Sequence, residues 1–342
     1  MSERAEQIIK LQEREESKSS GYRSMCQSTA ELMFPRDSAI TTTYAPGTPR
    51  TETIYDITAL EDSKTMADGM LSALIPAGEY FFKLNVSADN PGGVTEEYKS
   101  YLDRGTDKLH RSLFASNFML QMGETLRSLV VFGTGNIFSE WSLKTGGLNF
   151  RDYDVGRYTM LENSKGQVDT MILKYSYTAR QAVQEWGNKV GKSVSEAYAD
   201  DKKKNDIFWF IHIVQPREER NVRLIDFMSM PFESVFVAIK DKIIVDEGGF
   251  PEFPYHAPRW AKTTGEVHGR GVGTDILPQV RYLQQLKADF VEMSNKFPNP
   301  PRDVLSTFDG EYSVCAGDTN DVTELPTSAV VEFGGRNAFV VT

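Results

Sequence analysis

The chain has 342 residues, 40% of them hydrophobic and 25% charged, which is ordinary globular composition and excludes disorder as the default. A formal charge of −10 excludes a protein that grips nucleic acid tightly over its whole surface, but not one that lets nucleic acid slide past. Only two cysteines, Cys26 and Cys315, far apart, argue against a disulfide framework and fit a reducing compartment.

The N-terminal stretch MSERAEQIIKLQEREESKS is highly charged and lacks the apolar centre of a signal peptide, so a soluble intracellular product is expected. No window approaches the roughly 18 apolar residues of a membrane span. Residues 3–33 read as helical, with Tyr22, Met25, Cys26, Thr29 and Met33 spaced by threes and fours and Pro35 as the stop. Residues 36–54, rich in Thr and Pro, read as extended. A second helix fits Asp56 to Leu74, with Leu60, Met66, Ala67, Met70, Leu71 and Leu74 on one side and Pro76 beyond it. EYFFKLNV (79–86) reads as a short strand. Helices at about 95–115 and 117–131 follow, the second capped by the side-chain oxygen of Asn117.

From 136 the texture turns to short β-rich runs, NIFSEW, LNFRDY, YTMLE and VDTMILKYSY. A helix at about 178–187 ends in Trp186-Gly187, and a polar stretch with Lys202, Lys203 and Lys204 precedes four further strand candidates, IFWFIHIVQ, NVRLIDFMS, SVFVAI and KIIVDEG. Blocks of helices, then strands, then one isolated long helix indicate α+β and not alternating βαβ.

Signals for catalysis are few. His110, His212, His256 and His268 show no zinc-ligand spacing and read as surface or packing residues, and there is no nucleophile elbow and no phosphate-loop lysine. No cofactor and no metal site is expected. FGTGN (132–136) reads as a tight helix-to-strand connection needing positive φ at Gly133 or Gly135, in preference to a phosphate cradle. DTNDVTE (318–324) lacks the glycine of a calcium loop and reads as a polar turn.

The most informative stretch is GVGTDILPQVRYLQQLKADFVEMSNKFPNPP, residues 271–301. Thr274 or Asp275 serves as the cap and Pro278 falls in the first turn, where its missing N–H is cheap. The apolar set Ile276, Leu277, Val280, Leu283, Leu286, Phe290, Met293 and Phe297 keeps a spacing of three or four. The other side carries Gln279, Arg281, Gln284, Gln285, Lys287, Asp289, Glu292 and Lys296. From 276 to 296 such a helix is about 31 Å long. Two readings stand: a core helix with one wet face, or a rod packed against copies of itself around a ring with its polar side toward a channel. Residues 298–342 hold seven acidic and two basic residues, a charge that suits the rim of a ring and repels DNA from its wall.

Three blocks, YDITALEDSKTMADGMLSALIPAGEYFFKL (55–84), SNFMLQMGETLRSLVVFGTGNIF (116–138) and FPYHAPRWAKTTGEVHGRGVGTDILPQVRYLQQL (253–286), together resemble the head-to-tail connector, or portal, proteins of short-tailed bacteriophages. The order of blocks spans about 1–300. The resemblance implies a non-enzymatic structural subunit of a ring of about twelve identical copies. That ring sits in the virion, at one vertex of the capsid, its subunits made in the bacterial host cytoplasm. Double-stranded DNA passes it without sequence specificity during packaging, retention and ejection. Implied partners are the chain itself, the major capsid and scaffolding proteins, the terminase and the tail adaptor, with no membrane.

On that template the α+β chain divides into a helical and β-rich wing (1–270, with its β-rich part at about 136–250), one long stem helix (271–297) and a small β-rich clip or part of it (298–342). Gly269, Gly271 and Gly273 hinge wing to stem, and Pro298, Pro300 and Pro301 turn stem into clip. Ile276, Val280, Leu283, Leu286 and Phe290 pack the stem, while Arg281, Lys287, Asp289, Glu292 and Lys296 face the channel or the neighbouring subunit. Portal proteins are longer, and the sequence reaches Thr342 without the returning stem helix, tunnel loop and crown, which implies a truncated version or segments supplied from elsewhere. The alternatives are another head-tail component such as an adaptor or plug ring protein, and a DNA-processing enzyme using the carboxylates near Asp226, Asp241 and Asp246.

Overall fold

The computed structural model describes residues 3–76, 78–86, 95–142, 146–220, 223 and 226–296. The chain divides into two compact units, Met1–Glu52 with Ile57–Leu277 and Thr53–Asp56 with Pro278–Thr342. In the larger unit α1 (Glu3–Lys18) and α2 (Ser20–Met33) come first, followed by a 3₁₀ turn at Pro35–Asp37. The helix expected over 3–33 is thus interrupted at Ser19, although the backbone bonds Ser19 N to Glu15 O and Arg23 N to Ser19 O carry it across the break. Then come α3 (Thr58–Leu74), α4 (Glu96–Ala115) and α5 (Phe118–Phe132).

The β-rich part holds β1 (Ile137–Ser142), β2 (Gly147–Asp152), β3 (Tyr158–Glu162) and β4 (Val168–Thr178). Two short helices, α6 (Ala179–Trp186) and α7 (Lys192–Ala199), precede β5 (Ile207–Pro216), β6 (Phe232–Ala238) and β7 (Ile243–Phe250). Three two-residue strands, β8 (Tyr255–His256), β9 (Ala261–Lys262) and β10 (Gly269–Arg270), lead into α8 (Val272–Lys296). The α+β class holds: helices and antiparallel sheets occupy separate stretches of chain.

The main sheet is an antiparallel meander in the order β3-β4-β5-β6-β7. Its central strand shows why it forms. In IFWFIHIVQP, Phe208 and Phe210 point to one face, where α6 and α7 pack with Ala182 and Val194. Ile211 and Ile213 point to the other, where α1 packs with Ala5, Ile8 and Ile9. Each such fully buried side chain contributes about 1.5–3 kcal/mol. Arg4 fastens α1 to this sheet through Glu233 and Glu247, each at 2.7 Å. A second sheet, β2-β1-β8, lies under α5 through Phe118, Ile137 and Phe150.

Four local expectations are corrected. Residues 79–86 form no strand: two of their backbone groups are taken by side chains of α4, Leu84 N donating to Thr106 Oγ1 at 3.0 Å and Phe82 O meeting His110 Nε2 at 3.0 Å. Asn117 precedes α5 but does not cap it. Its side chain instead clamps β2, accepting from Phe150 N at 2.8 Å and donating to Phe150 O at 2.7 Å, and Ser116 Oγ accepts from Phe118 N. In NVRLIDFMS the described part contains a 3₁₀ turn at Phe227–Ser229 in place of a strand. Helix α7 lies where the sequence reads as a polar stretch: unlike α6, which Thr178 and Gln181 close with a capping box, its eight residues start at Gly191 with no side-chain cap to signal them.

Candidate functional site

Helix α5 ends at Gly133 with φ +82°, a left-handed cap that the sequence anticipates for this turn. The turn is then enclosed from two sides. On one, Gly135 N donates to Pro258 O at 3.1 Å and Trp260 N to Gly133 O at 2.9 Å. On the other lies the segment of Gly269, Gly271 and Gly273. Gly269 N donates to Thr134 Oγ1 at 2.9 Å. A Cβ at Gly271 would meet Gly133 N and lie 2.7 Å from Val130 O, and one at Gly273 would lie 2.6 Å from Val131 O. All three glycines are where one backbone crosses another at contact distance. Gly133 N donates to Leu129 O at 2.9 Å and Gly135 N to Pro258 O, so neither glycine amide is offered to a phosphate.

Helix α8 starts from this crossing. Asp275 N already donates to Gly271 O at 3.2 Å, and Thr274 Oγ1 to the same oxygen at 2.7 Å. The helix therefore begins at Val272, earlier than the expected cap at Thr274 or Asp275, and Pro278 lies inside it, in its second turn. The glycines permit the earlier start, because only they fit the close approach to α5. At about 1.5 Å per residue the 25-residue helix is about 38 Å long.

Its apolar residues do not share one face. Leu277 and Val280 are buried, and so is Gln284, which the sequence pattern puts on the polar side. Gln284 Oε1 accepts from Tyr55 N at 2.8 Å and Asp56 N at 3.0 Å, while its Nε2 donates to Asp56 O at 2.6 Å. The signal was present, since 277, 280 and 284 keep the three-four spacing of an inward face whatever the residue type. At about 100° per residue, Tyr282, Leu286, Phe290 and Met293 form a stripe on the opposite side, Phe290 being 62% exposed. Leu283 is half-buried and Ile276 exposed.

Along one edge between these faces run Arg281, Gln285, Asp289 and Glu292, with Gln285 Nε2 donating to Asp289 Oδ1 at 2.7 Å. Lys287 lies on the other edge, 3.8 Å from Asp56. Lys296 is the last residue of the helix. Pro298, Pro300, Pro301 and the DTNDVTE stretch lie outside the described residues, as does Cys315. Gln284→Leu is expected to lower stability by about 2–3 kcal/mol, because three hydrogen bonds go and two backbone N–H groups lose their acceptor. Chemical denaturation followed by far-UV circular dichroism measures this, and hydrogen exchange at 53–56 reports where the loss occurs.

The histidines and carboxylates have structural employment. His212 is stacked on Phe236 at 4.0 Å and bonded to Ser234 Oγ at 2.9 Å, and burial drives its pKa down to about 3. His268 is stacked on Tyr22 at 4.2 Å and is likewise pushed down to about 4 by burial. His110 is buried among Tyr80, Phe81 and Phe82, and His256 bonds Ser139 Oγ at 3.0 Å. Asp241 accepts from Ser193 Oγ at 2.6 Å and from Ser193 N at the start of α7. Asp246 pairs with Lys189 at 3.3 Å, and Asp226 precedes the 3₁₀ turn. Among the described residues no group of three or more His, Cys, Asp or Glu side chains is placed to hold a metal, and no helix is long and apolar enough to cross a membrane.

The family model for the bacteriophage head to tail connecting protein matches residues 5–334 of this sequence. The chain belongs to the bacteriophage head-to-tail connecting protein family. Relatives of this connecting protein include the portal protein of Salmonella phage epsilon15, 28% identical over 288 residues, which cover 80% of this chain and 49% of the relative. The probable portal protein of Bordetella phage BPP-1 is 24% identical over 270 residues, covering 75% of this chain and 46% of that one. The connecting-protein chain thus spans about half the length of the curated relatives it matches. The blocks that carried the resemblance all lie within the matched range.

Proposed function

We propose that this chain is the ring-forming subunit of a phage portal, a structural protein of the virion at one capsid vertex. Double-stranded DNA enters, is held and leaves through the ring, and terminase, tail adaptor and capsid proteins dock on it. The observation that carries this reading is the family match over 5–334, together with relatives that are themselves named portal proteins. In this reading 1–270 is the wing, 271–297 the stem and 298–342 the clip or part of it. Gly269, Gly271 and Gly273 pass the chain from wing to stem, and Pro298, Pro300 and Pro301 turn it into the clip.

The mechanism is geometric and electrostatic. A helix with one buried face and an opposite stripe of Tyr282, Leu286, Phe290 and Met293 has apolar surface to bury on a neighbouring copy around a ring. The edge carrying Arg281, Asp289 and Glu292 mixes both signs of charge, so a polyanion passing it meets neither a sticky basic track nor a uniformly repulsive wall. Native mass spectrometry with negative-stain imaging of the purified chain tests the reading. The expected result is closed rings of about twelve copies with an open centre. A monomer at every concentration, or a small oligomer without a hole, overturns it.

Two variant sets separate stripe from edge. Leu286→Glu with Phe290→Glu is expected to abolish rings while leaving the melting temperature of the single chain within about 2 °C, because both side chains are already exposed there. Charge reversal at Arg281, Lys287, Asp289, Glu292 and Lys296, one at a time in phage, is expected to change DNA packaging or retention. No change at any of the five sinks their assignment to channel or neighbour.

A further inference from the structure

Helix α1 crosses the main sheet instead of running along one strand: Arg4 at its start pairs with Glu233 on β6 and Glu247 on β7, and Glu16 near its end pairs with Lys174 on β4, so only part of the length of β5 lies beneath it. Ile211 and Ile213 are fully buried under α1, yet on the same face of the same strand Trp209 is 50% exposed and Ile207 64% exposed. β5 is the middle strand of five. The two residues lie on the end of β5 that runs past its ladder with β6, and two large apolar side chains left in water side by side there are a stronger signal than singly scattered ones.

Trp209, at this uncovered end, lies on the floor of a groove of about 500 Å³. Trp209, Ile239 and Ile40 form its apolar part, the 39–43 segment one wall, and Arg157 and Lys174 its cationic rim, with Arg23 buried beneath it. Among the described residues Glu16 is the one acidic residue in the lining, and it is shared by Arg23 at 3.0 Å and Lys174 at 2.5 Å. Arg157 stands further into solvent, with Asp154 3.4 Å away. An aromatic floor and a net positive rim lie on a chain that is otherwise acidic, at −10 overall.

We propose that this groove docks a second copy of this chain, which lays an acidic surface segment bearing an apolar side chain across Trp209 and beside Arg157. The proposal rests on the ring reading above. A second copy is the one partner whose acidic surface and equal stoichiometry the chain itself guarantees. A head-to-tail contact, the kind that closes a ring, joins two unlike patches, and a groove of one charge on a chain of the other meets that requirement. It also gives the larger unit a contact of its own, separate from the stripe on α8.

Hydroxyl-radical footprinting of the full chain, compared between dilute monomer and assembled rings, tests it. Trp209, Ile239 and residues 41–43 are expected to be protected in the rings. Trp209→Ala and Arg157→Glu are each expected to raise the concentration for half-assembly about tenfold or more, with Trp209→Phe near wild type. Monomer melting temperatures, measured alongside, keep a folding defect from being mistaken for an assembly defect. Rings in which Trp209 stays open to radicals overturn the groove and leave the ring reading standing. No rings at any concentration overturn both. Protection that appears only on adding short double-stranded DNA, or another acidic protein, overturns the proposal in favour of that partner.

Discussion

Gly271→Ala is expected to cost about 3 kcal/mol or more of folding stability, although it adds a single methyl group. The new Cβ would press on Gly133 N, lie 2.7 Å from Val130 O and 2.9 Å from Gly133 Cα. All three are backbone atoms, so no side chain can swing away and relief requires parting α5 from the segment that starts α8. Gly133→Ala should be at least as damaging, since φ +82° disfavours any L side chain and its Cβ would lie 2.6 Å from Arg270 Cα. The double variant should cost less than the sum of the two, because both act on one crossing. Gly21→Ala in α2, where nothing lies within 4 Å, is the control and is expected to stabilise by up to about 1 kcal/mol. Urea denaturation of the four variants beside the wild type measures the set. A Gly271→Ala protein as stable as wild type would mean the backbones do not cross so closely.

Asp152→Asn is expected to stabilise the protein by up to about 4 kcal/mol at pH 8, the gain shrinking toward zero by pH 4. Asp152 lies at the end of β2, where its carboxyl accepts from Thr125 Oγ1 at 2.6 Å, and burial pushes its pKa up from 3.8 to about 7. Asp154, Glu124 and Asp37 nearby add to the rise. The folded state therefore binds this proton more tightly than the unfolded state. Stability from this group is present at low pH and is lost as pH rises between about 4 and 7. Asn keeps the acceptor for Thr125 without a charge to bury. Asp37, raised to about 6 chiefly by burial, acts in the same direction.

His212 and His268 work in the opposite sense. Both are held neutral by burial, so the unfolded chain takes up their protons first and stability falls as pH drops through about 6.5. In the wild type these slopes oppose one another between about pH 4 and 6.5, and the curve of melting temperature against pH is expected to be shallow there. In Asp152→Asn it should tilt, rising with pH. Parallel curves for the two proteins from pH 4 to 8 would show that Asp152 does not titrate in this range.

What was legible in the sequence follows from locality. The strands of the main sheet were readable because the β-branched and aromatic runs IFWFIHIVQ and SVFVAI are a property of neighbouring residues, the first nearly continuous because both faces of the central strand are buried along most of its length. The left-handed turn after α5 was readable because Gly133 closes an apolar run and sits at the cap. Where a side chain's partner lies far along the chain, local pattern failed. Asn117 looks like a cap and serves Phe150, and the EYFFKLNV segment looks like a strand but is held by Thr106 and His110.

By itself the sequence determined the α+β class, the single long helix after the glycines, and, through three blocks of residues, membership of a family of head-to-tail connecting proteins. Only the tertiary structure decided which side of that helix is inside. A run of apolar residues at three-four spacing defines two candidate faces when it is dense enough. The inward one is chosen by what it meets, in this case the peptide groups of Tyr55 and Asp56, which buried Gln284 and left Tyr282, Leu286 and Phe290 in water. The tertiary structure also decided that Gly271 and Gly273 answer to lack of room against α5, because the distance between two backbones more than a hundred residues apart is written in no local pattern.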